Sequence, residues 1–302
     1  MNIDAPGKIT DRITLLGKKE SNLYLVEGRD QSALLGGGMA YIAPDVSRQL
    51  RDLGVAEEKI SHIIIHHAHF DHVGAVPFLR RRWPGATVHA SARARELLAS
   101  PKIVDSVIAF NQALLEQNAP DFPAAEANLN RAGFTVDQVL SEGDVISLGD
   151  LDLEILEVPG HSSCSIAVYI PREKALAASD AGGIPYGGDI FASANSNFDQ
   201  YQASLQKMAR LDVDIFLAEH YGASVGEEGR TYIPRSIEAA RRTREALEKI
   251  YSRVGDEQKA TEEVTDYFMS NAAGYFLPRE VMAMVAGQMI RFIARTASSR
   301  PR

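Results

Sequence analysis

The sequence predicts an α/β protein, and three observations carry that expectation. The run Ile63-Ile64-Ile65 is purely β-branched and apolar, as a strand covered on both faces requires. Helical patterns stand on either side of it, Pro44 to Leu53 before and Val73 to Arg82 after, so strands and helices alternate. From Phe134 to Ala178 short apolar runs are separated by Gly143, Gly149 and Pro171, the punctuation of successive strands.

Taken in order, Arg12 to Gly17 and Ser21 to Glu27 read as paired strands around a turn at Lys18 to Glu20, and Gln31 to Leu35 as a third strand ended by Gly36-Gly37-Gly38. Pro44 to Leu53 is a helix with proline in its first turn and Gly54 as its stop. After the isoleucine strand, Val73 to Arg82 is helical up to Trp83-Pro84-Gly85, Ala86 to His89 is a short strand, and Ser91 caps a helix running to Ala99. Between Pro101 and about Arg131, Ile103, Val107, Phe110, Leu114 and Leu115 recur at helical spacing, which makes residues 101–131 a helical insertion. Phe134 to Leu140, Asp144 to Leu148, Leu151 to Val158, Ser165 to Ile170 and Lys174 to Ala178 are then expected to build a second sheet half. Asn197-Phe198-Asp199 opens the helix Gln200 to Leu211, and Asp214 to Leu217 is a further strand. Everything after about Tyr221 reads as helical: Ser236 to Val254, Thr261 to Asn271 and Pro278 to Ala297. The expected organisation is an α/β domain over residues 1–222 and a helical C-terminal extension over 223–302, packed near the active site.

At 302 residues and average hydrophobicity the chain can bury a full core. A net charge of −8 argues against a protein built to neutralise phosphates, so nucleic acid is not an expected partner. The single cysteine, Cys164, excludes an intramolecular disulfide and is expected as a small buried hydrophobe, in keeping with a reducing compartment. The N-terminus has no signal-peptide pattern and no window reaches the roughly eighteen apolar residues of a membrane span, so a cytoplasmic protein without a membrane partner is expected.

The isoleucine strand ends in His66-His67-Ala68-His69-Phe70-Asp71-His72. In an extended segment alternate side chains share a face, so His67 and His69 can grip one ion. Asp71 and His72 come where the chain turns into a helix, which swings them toward a neighbouring position and lets one loop serve two metal sites. Four ligand-type side chains in six positions directly after a buried strand make a solvated histidine loop the weaker reading.

His-x-His-x-Asp-His is the pattern of the metallo-β-lactamase fold superfamily, which this chain resembles beyond the motif. The resemblance implies a four-layer αββα sandwich with the helical extension added. It also implies three further ligands at long range, with candidates in the expected order: His161 in Gly160-His161-Ser162, Asp180 in Ser179-Asp180, and His220 in Ala218-Glu219-His220. Five of the eight histidines fall on these positions. His67, His69 and His161 would hold the first metal, Asp71, His72 and His220 the second, with Asp180 bridging; Asp71 and Asp180 are also the expected catalytic carboxylates. Within the superfamily the likeness runs to PqsE-type thioesterases, through Ala5-Pro6-Gly7, the helix segment Ala109-Phe110-Asn111-Gln112-Ala113, Phe198-Asp199 with Leu205, and the methionine-rich last helix. The chain also departs from the family's habits. His66 stands where threonine is frequent, Ser179 and Glu219 where glycine is usual, and Gly36-Gly37-Gly38 where many members carry an acid that braces the metal loop, so another group or water must do that job.

The implied chemistry is that of two divalent ions, zinc, iron or manganese, bound by five imidazoles and two carboxylates without a thiolate. A metal-bridging hydroxide would attack a thioester of the acyl-coenzyme A kind, with esters and lactones as near competitors. Tyr186 and Met289 are the side chains expected to meet such a small-molecule acyl or aryl substrate. The basic helix with Arg235, Arg241, Arg242, Arg244, Lys249 and Arg253 reads first as a solvated face and second as a perch for coenzyme phosphates. Two alternatives stay open: a regulatory protein acting through a protein partner, and an oxidoreductase of the persulfide dioxygenase kind. Homodimerisation stays open as well.

Overall fold

The computed structural model describes residues 1–271, 275 and 277–299. The chain divides into two compact units. The first comprises Met1–Glu157, Cys164–Ser179 and Asp212–Arg230, the second Val158–Ser163, Asp180–Leu211 and Thr231–Arg302.

The first unit contains two seven-stranded sheets. One runs Gly7–Lys8, Ile13–Lys18, Ser21–Glu27, Ser32–Leu35, Ile60–Ile64, Thr87–Ser91 and Gln138–Leu140 from edge to edge. Its first four strands are antiparallel hairpins, and its last four run parallel because the intervening helices carry the chain back each time. The other runs Asn2–Ile3, Ala223–Val225, Ile215–Leu217, Ala175–Ala177, Ile166–Ile170, Asp152–Glu157 and Val145–Ser147. Only Ala175–Ala177 and Ile215–Leu217 pair in parallel there.

The two sheets share one hydrophobic core. Ile13, Leu15, Tyr24, Val26, Leu35 and Ile64 from one sheet meet Leu153, Ile155, Ile166, Val168, Ile170 and Leu217 from the other. From Asp152 to Ile155 burial alternates, with Leu153 and Ile155 buried and Asp152 and Glu154 facing solvent. Ile63 points to the opposite face of its sheet from Ile64 yet is just as buried, the condition expected of a parallel strand covered on both sides. The helices Ala43–Asp52 and Ala92–Ala99 lie against Ile13–Lys18 and Thr87–Ser91 respectively.

Four expectations need correcting. Gln138–Leu140 belongs to the first sheet, as the parallel neighbour of Thr87–Ser91, and the residues before it, Arg131–Phe134, form a 3-10 turn. With only Val139 and Leu140 of the strand out of the solvent, its pattern is too short to say which sheet it joins. Ala223–Val225 is a strand in a segment whose sequence reads as wholly helical: it turns back antiparallel on Ile215–Leu217 and is covered on its other edge by the N-terminal Asn2–Ile3, a contact no local pattern announces. The tail helix starts at Glu227, before Ser236, and contains Pro234. In the second unit Ile184–Tyr186 and Asp189–Phe191 form a hairpin that the strand pattern does not predict, around Gly187-Gly188, both at positive φ.

Among the described residues, the remaining elements of the second unit are helices. Phe198–Met208 is capped by the Asn197 side chain, which accepts from the Gln200 amide at 3.0 Å. Glu257–Asn271 and Arg279–Ser299 pack on each other. No helix among the described residues is long and apolar enough to cross a membrane.

Candidate metal centre

The histidine loop leaves the carboxyl end of the parallel strand Ile60–Ile64, the end at which open α/β sheets place their reactive groups. His67, Asp71 and His72 are buried, and Phe70–His72 forms a single 3-10 turn that redirects the chain. His67 Nε2 lies 3.1 Å from His69 Nδ1, so the alternate histidines do face one point.

The geometry around His220 is more decisive. His220 Nδ1 donates to the Glu20 carbonyl at 2.7 Å, and His72 Nδ1 donates to Glu219 Oε2 at 2.5 Å. With both Nδ1 atoms committed as donors, each neutral ring presents a lone pair at Nε2, and these two atoms lie 3.1 Å apart. Asp71 Oδ2 adds negative charge 3.5 Å from His72 Nε2 and 3.7 Å from His220 Nε2. Two lone pairs and a carboxylate converging on one point repel one another unless a cation lies among them. The ligand atoms of Asp71, His72 and His220 all fall within 4.8 Å of one another, a spread that one ion can span. Imidazole with carboxylate and no thiolate is a donor set for borderline divalent metals, so these residues fit such an ion.

The second unit shows the same logic on its own. His161 Nδ1 donates to the Ser193 carbonyl at 2.7 Å, which leaves Nε2 as the lone-pair atom 3.4 Å from Asp180 Oδ2. His161 is held there by backbone geometry. Gly160 has φ +134, and a Cβ at that position would come within 2.2 Å of the Tyr201 amide nitrogen. The Gly160 carbonyl in turn accepts from the Ser196 and Asn197 amides, each at 3.0 Å.

Tyr186 lies in the glycine hairpin, edge-on to Tyr275 with ring centroids 5.3 Å apart. It lines a cavity of about 260 Å³ together with Phe191, Phe268, Asp189 and Arg242. Met289 is fully buried in the last helix. The basic helix spends its charges on neighbours: Arg241 pairs with Glu238 and Glu245, Arg242 with Asp189, and Arg244 with Asp199 and Glu248. Cys164 is buried, and its sulfur accepts from the Ala68 amide at 3.4 Å.

What the sequence does not reveal is the set of groups behind the ligands. The carbonyls of Glu20 and Ser193 orient His220 and His161 through backbone atoms, which carry no residue signature. Glu219 stands out in the sequence only as an unusual neighbour of His220. In the structure it is 2 % exposed and faces His66, His72 and Ser179. Burial by itself would raise its carboxyl pKa, but the His72 and His66 rings hold it well below the usual carboxylate range.

Comparison with known proteins agrees with this architecture. Residues 16–220 match the family model of the metallo-beta-lactamase superfamily. The chain is 28% identical over 204 residues to the acyl-coenzyme A thioesterase MBLAC2 of Gallus gallus, covering 66% of this chain and 70% of that protein. It is 35% identical over 102 residues to the hydroxyacylglutathione hydrolase of Ruegeria pomeroyi, covering 34% and 38% respectively. A third relative, the uncharacterized protein YobT of Bacillus subtilis, is matched over 66% of its length at 28% identity, so the chain spans two thirds or less of several of these proteins. Among solved structures, the metallo-beta-lactamase family protein TTHA1429 of Thermus thermophilus superposes with a TM-score of 0.67 at 18% identity, over 98% of this chain and 97% of that one. The Sulfolobus tokodaii protein ST1585 gives 0.57 at 16% identity, over 79% and 84%. Two facing sheets, a His-x-His-x-Asp-His loop at a strand end and a family match across that whole region lead to one conclusion: the chain belongs to the metallo-β-lactamase superfamily of hydrolases.

Proposed function

We propose that this protein is a dinuclear metal-dependent hydrolase of a thioester of the acyl-coenzyme A type, with esters and lactones as competing substrates. The observation that carries the reading is the Asp71, His72 and His220 cluster, whose two Nε2 lone pairs 3.1 Å apart call for a cation. His67 and His69 are proposed for a first ion and His72 and His220 for a second, with His161 and Asp180 as the remaining ligands that the family's pattern asks for. The thioester class comes from relatives named acyl-coenzyme A thioesterase and hydroxyacylglutathione hydrolase.

Divalent ions of the zinc, iron or manganese kind, when bound, supply Lewis-acid polarisation of a carbonyl and an activated water. The chain's own residues do the rest. The Glu20 carbonyl and the Glu219 carboxylate fix the tautomers of His220 and His72, so both rings offer Nε2. The Ser193 carbonyl does the same for His161. Asp71, 7 % exposed, keeps a carboxylate beside the two imidazoles, where it offsets positive charge and can hold a proton donor in line. Tyr186, which lines the cavity beside Phe191 and Phe268, is the side chain proposed to meet the acyl group.

Metal analysis of protein purified without chelator, followed by a panel of acyl-coenzyme A thioesters, aryl esters and lactones, tests the reading. The expected result is stoichiometric divalent metal, thioesters cleaved fastest, and a His220→Ala variant that has lost both metal and turnover. Metal-free protein, or His220→Ala with unchanged turnover, would overturn it.

A further inference from the structure

We propose that Glu219 is the positioning residue of this metal centre: a buried carboxylate that reaches into the space left by Gly36 and orients His72, with Ser179 and His66 as its supports. The proposal rests on the metal-binding reading above. Its evidence is a single hydrogen-bonded cluster of buried side chains. Glu219 Oε2 accepts from His72 Nδ1 at 2.5 Å and from the Ser179 hydroxyl, while Oε1 faces His66 Nδ1 at 3.3 Å. A Cβ on Gly36 would fall 2.1 Å from Glu219 Oε1, so the carboxylate occupies its place only because residue 36 has no side chain.

Ser179 supports the same conclusion from a different direction. It is one of four described non-glycine residues at positive φ, at +47°, in the left-handed region that costs an L residue strain. A glycine would sit there freely. A serine in that position makes sense through its hydroxyl, which donates to Glu219 and lies 3.3 Å from His72 Nδ1.

The ligand atoms of His67, His72 and Glu219 also lie within 4.8 Å of one another, an arrangement in which Glu219 could itself be a ligand. The hydrogen bonding argues against it. Glu219 meets His72 through Nδ1, whereas His72 turns Nε2 toward His220. One ring nitrogen cannot donate its proton to a carboxylate and share an ion with it. Glu219 therefore acts through His72, fixing the ring's rotation and tautomer and raising the basicity of Nε2.

The test uses cobalt(II) as the probe on the full chain, with the dissociation constant read by chelator competition and the coordination by the visible absorption of the bound ion. Glu219→Gln keeps the volume and removes the charge; it is expected to weaken cobalt binding about 10- to 100-fold and to shift the absorption bands. Glu219→Asp, which keeps a carboxylate, recovers part of the loss. Ser179→Gly separates positioning from folding: relief of the left-handed strain raises the melting temperature of the metal-free protein while cobalt binding weakens. Folded Glu219→Gln with wild-type affinity and spectrum would overturn the proposal, as would Ser179→Gly with wild-type affinity should the first variant not fold. Wild-type protein that binds no cobalt at all would instead remove the metal-centre reading on which this one stands.

Discussion

His89, buried on the strand Thr87–Ser91, ties the protonation of one ring to the stability of the fold. The Gln31 side-chain oxygen accepts from His62 Nε2 at 2.8 Å, which makes His62 Nδ1 the acceptor for His89 Nε2 at 3.0 Å and leaves His89 Nδ1 as a buried lone pair with no partner among the described residues. A proton there would be a buried cation with no acceptor. Burial first, and His62 second, accordingly lower the His89 pKa from 6.5 to about 4. Because the unfolded state takes up the proton more readily, this contribution is fully present above pH 6.5 and is lost as pH falls toward 4. Thermal melts across that window should show a falling melting temperature, and His89→Leu should flatten the slope. At Gly160 the prediction is steric: Gly160→Ala combines a left-handed φ with a Cβ 2.2 Å from the Tyr201 nitrogen, and should cost about 1–3 kcal/mol or more in chemical denaturation. Residue identity makes the candidate ligands legible, since histidines and aspartates at strand ends are visible without a structure. The same is not true of Glu219 or Ser179, which look like ordinary substitutions beside a ligand until the fold places them around His72.

Ser91 joins two elements. Its hydroxyl oxygen accepts from the Ala94 amide at 3.1 Å as the cap of Ala92–Ala99 and its proton goes to the Cys164 carbonyl at 2.7 Å. Ser91→Ala removes the cap and one buried donor together, and a loss of about 1–2 kcal/mol is expected by urea denaturation. The capped helices, the isoleucine strand and the helical insertion are legible because their signals are local: a cap, a period, a stop. The strands Gln138–Leu140 and Ala223–Val225 escape a reading of the sequence because each is only three residues long, too short for a period to show, and each also pairs with a strand distant in the chain.

The sandwich core depends on interdigitation of two sheets whose inner residues come from widely separated segments. Leu153 is fully buried in that core, and Leu153→Ala should lower stability by about 2–5 kcal/mol through lost burial and a cavity. Metal binding is expected to add stability to the native state alone. Dialysis against a chelator should therefore lower the melting temperature, the difference corresponding to about 2.7 kcal/mol when free metal stands at 100 times the dissociation constant. A melting curve indifferent to chelator would count against a structural contribution from the centre.

By itself the sequence determined the α/β class, the order of most elements, and the ligand-type side chains at their strand ends, because hydrophobic period, turn residues and histidine spacing are properties of short stretches. Only the tertiary structure decided which sheet a three-residue strand joins, which backbone carbonyl sets each histidine's tautomer, and that a carboxylate beside His220 fills the hollow left at Gly36. Those outcomes rest on distances between residues far apart in the chain, and such distances exist only once the sheets have packed.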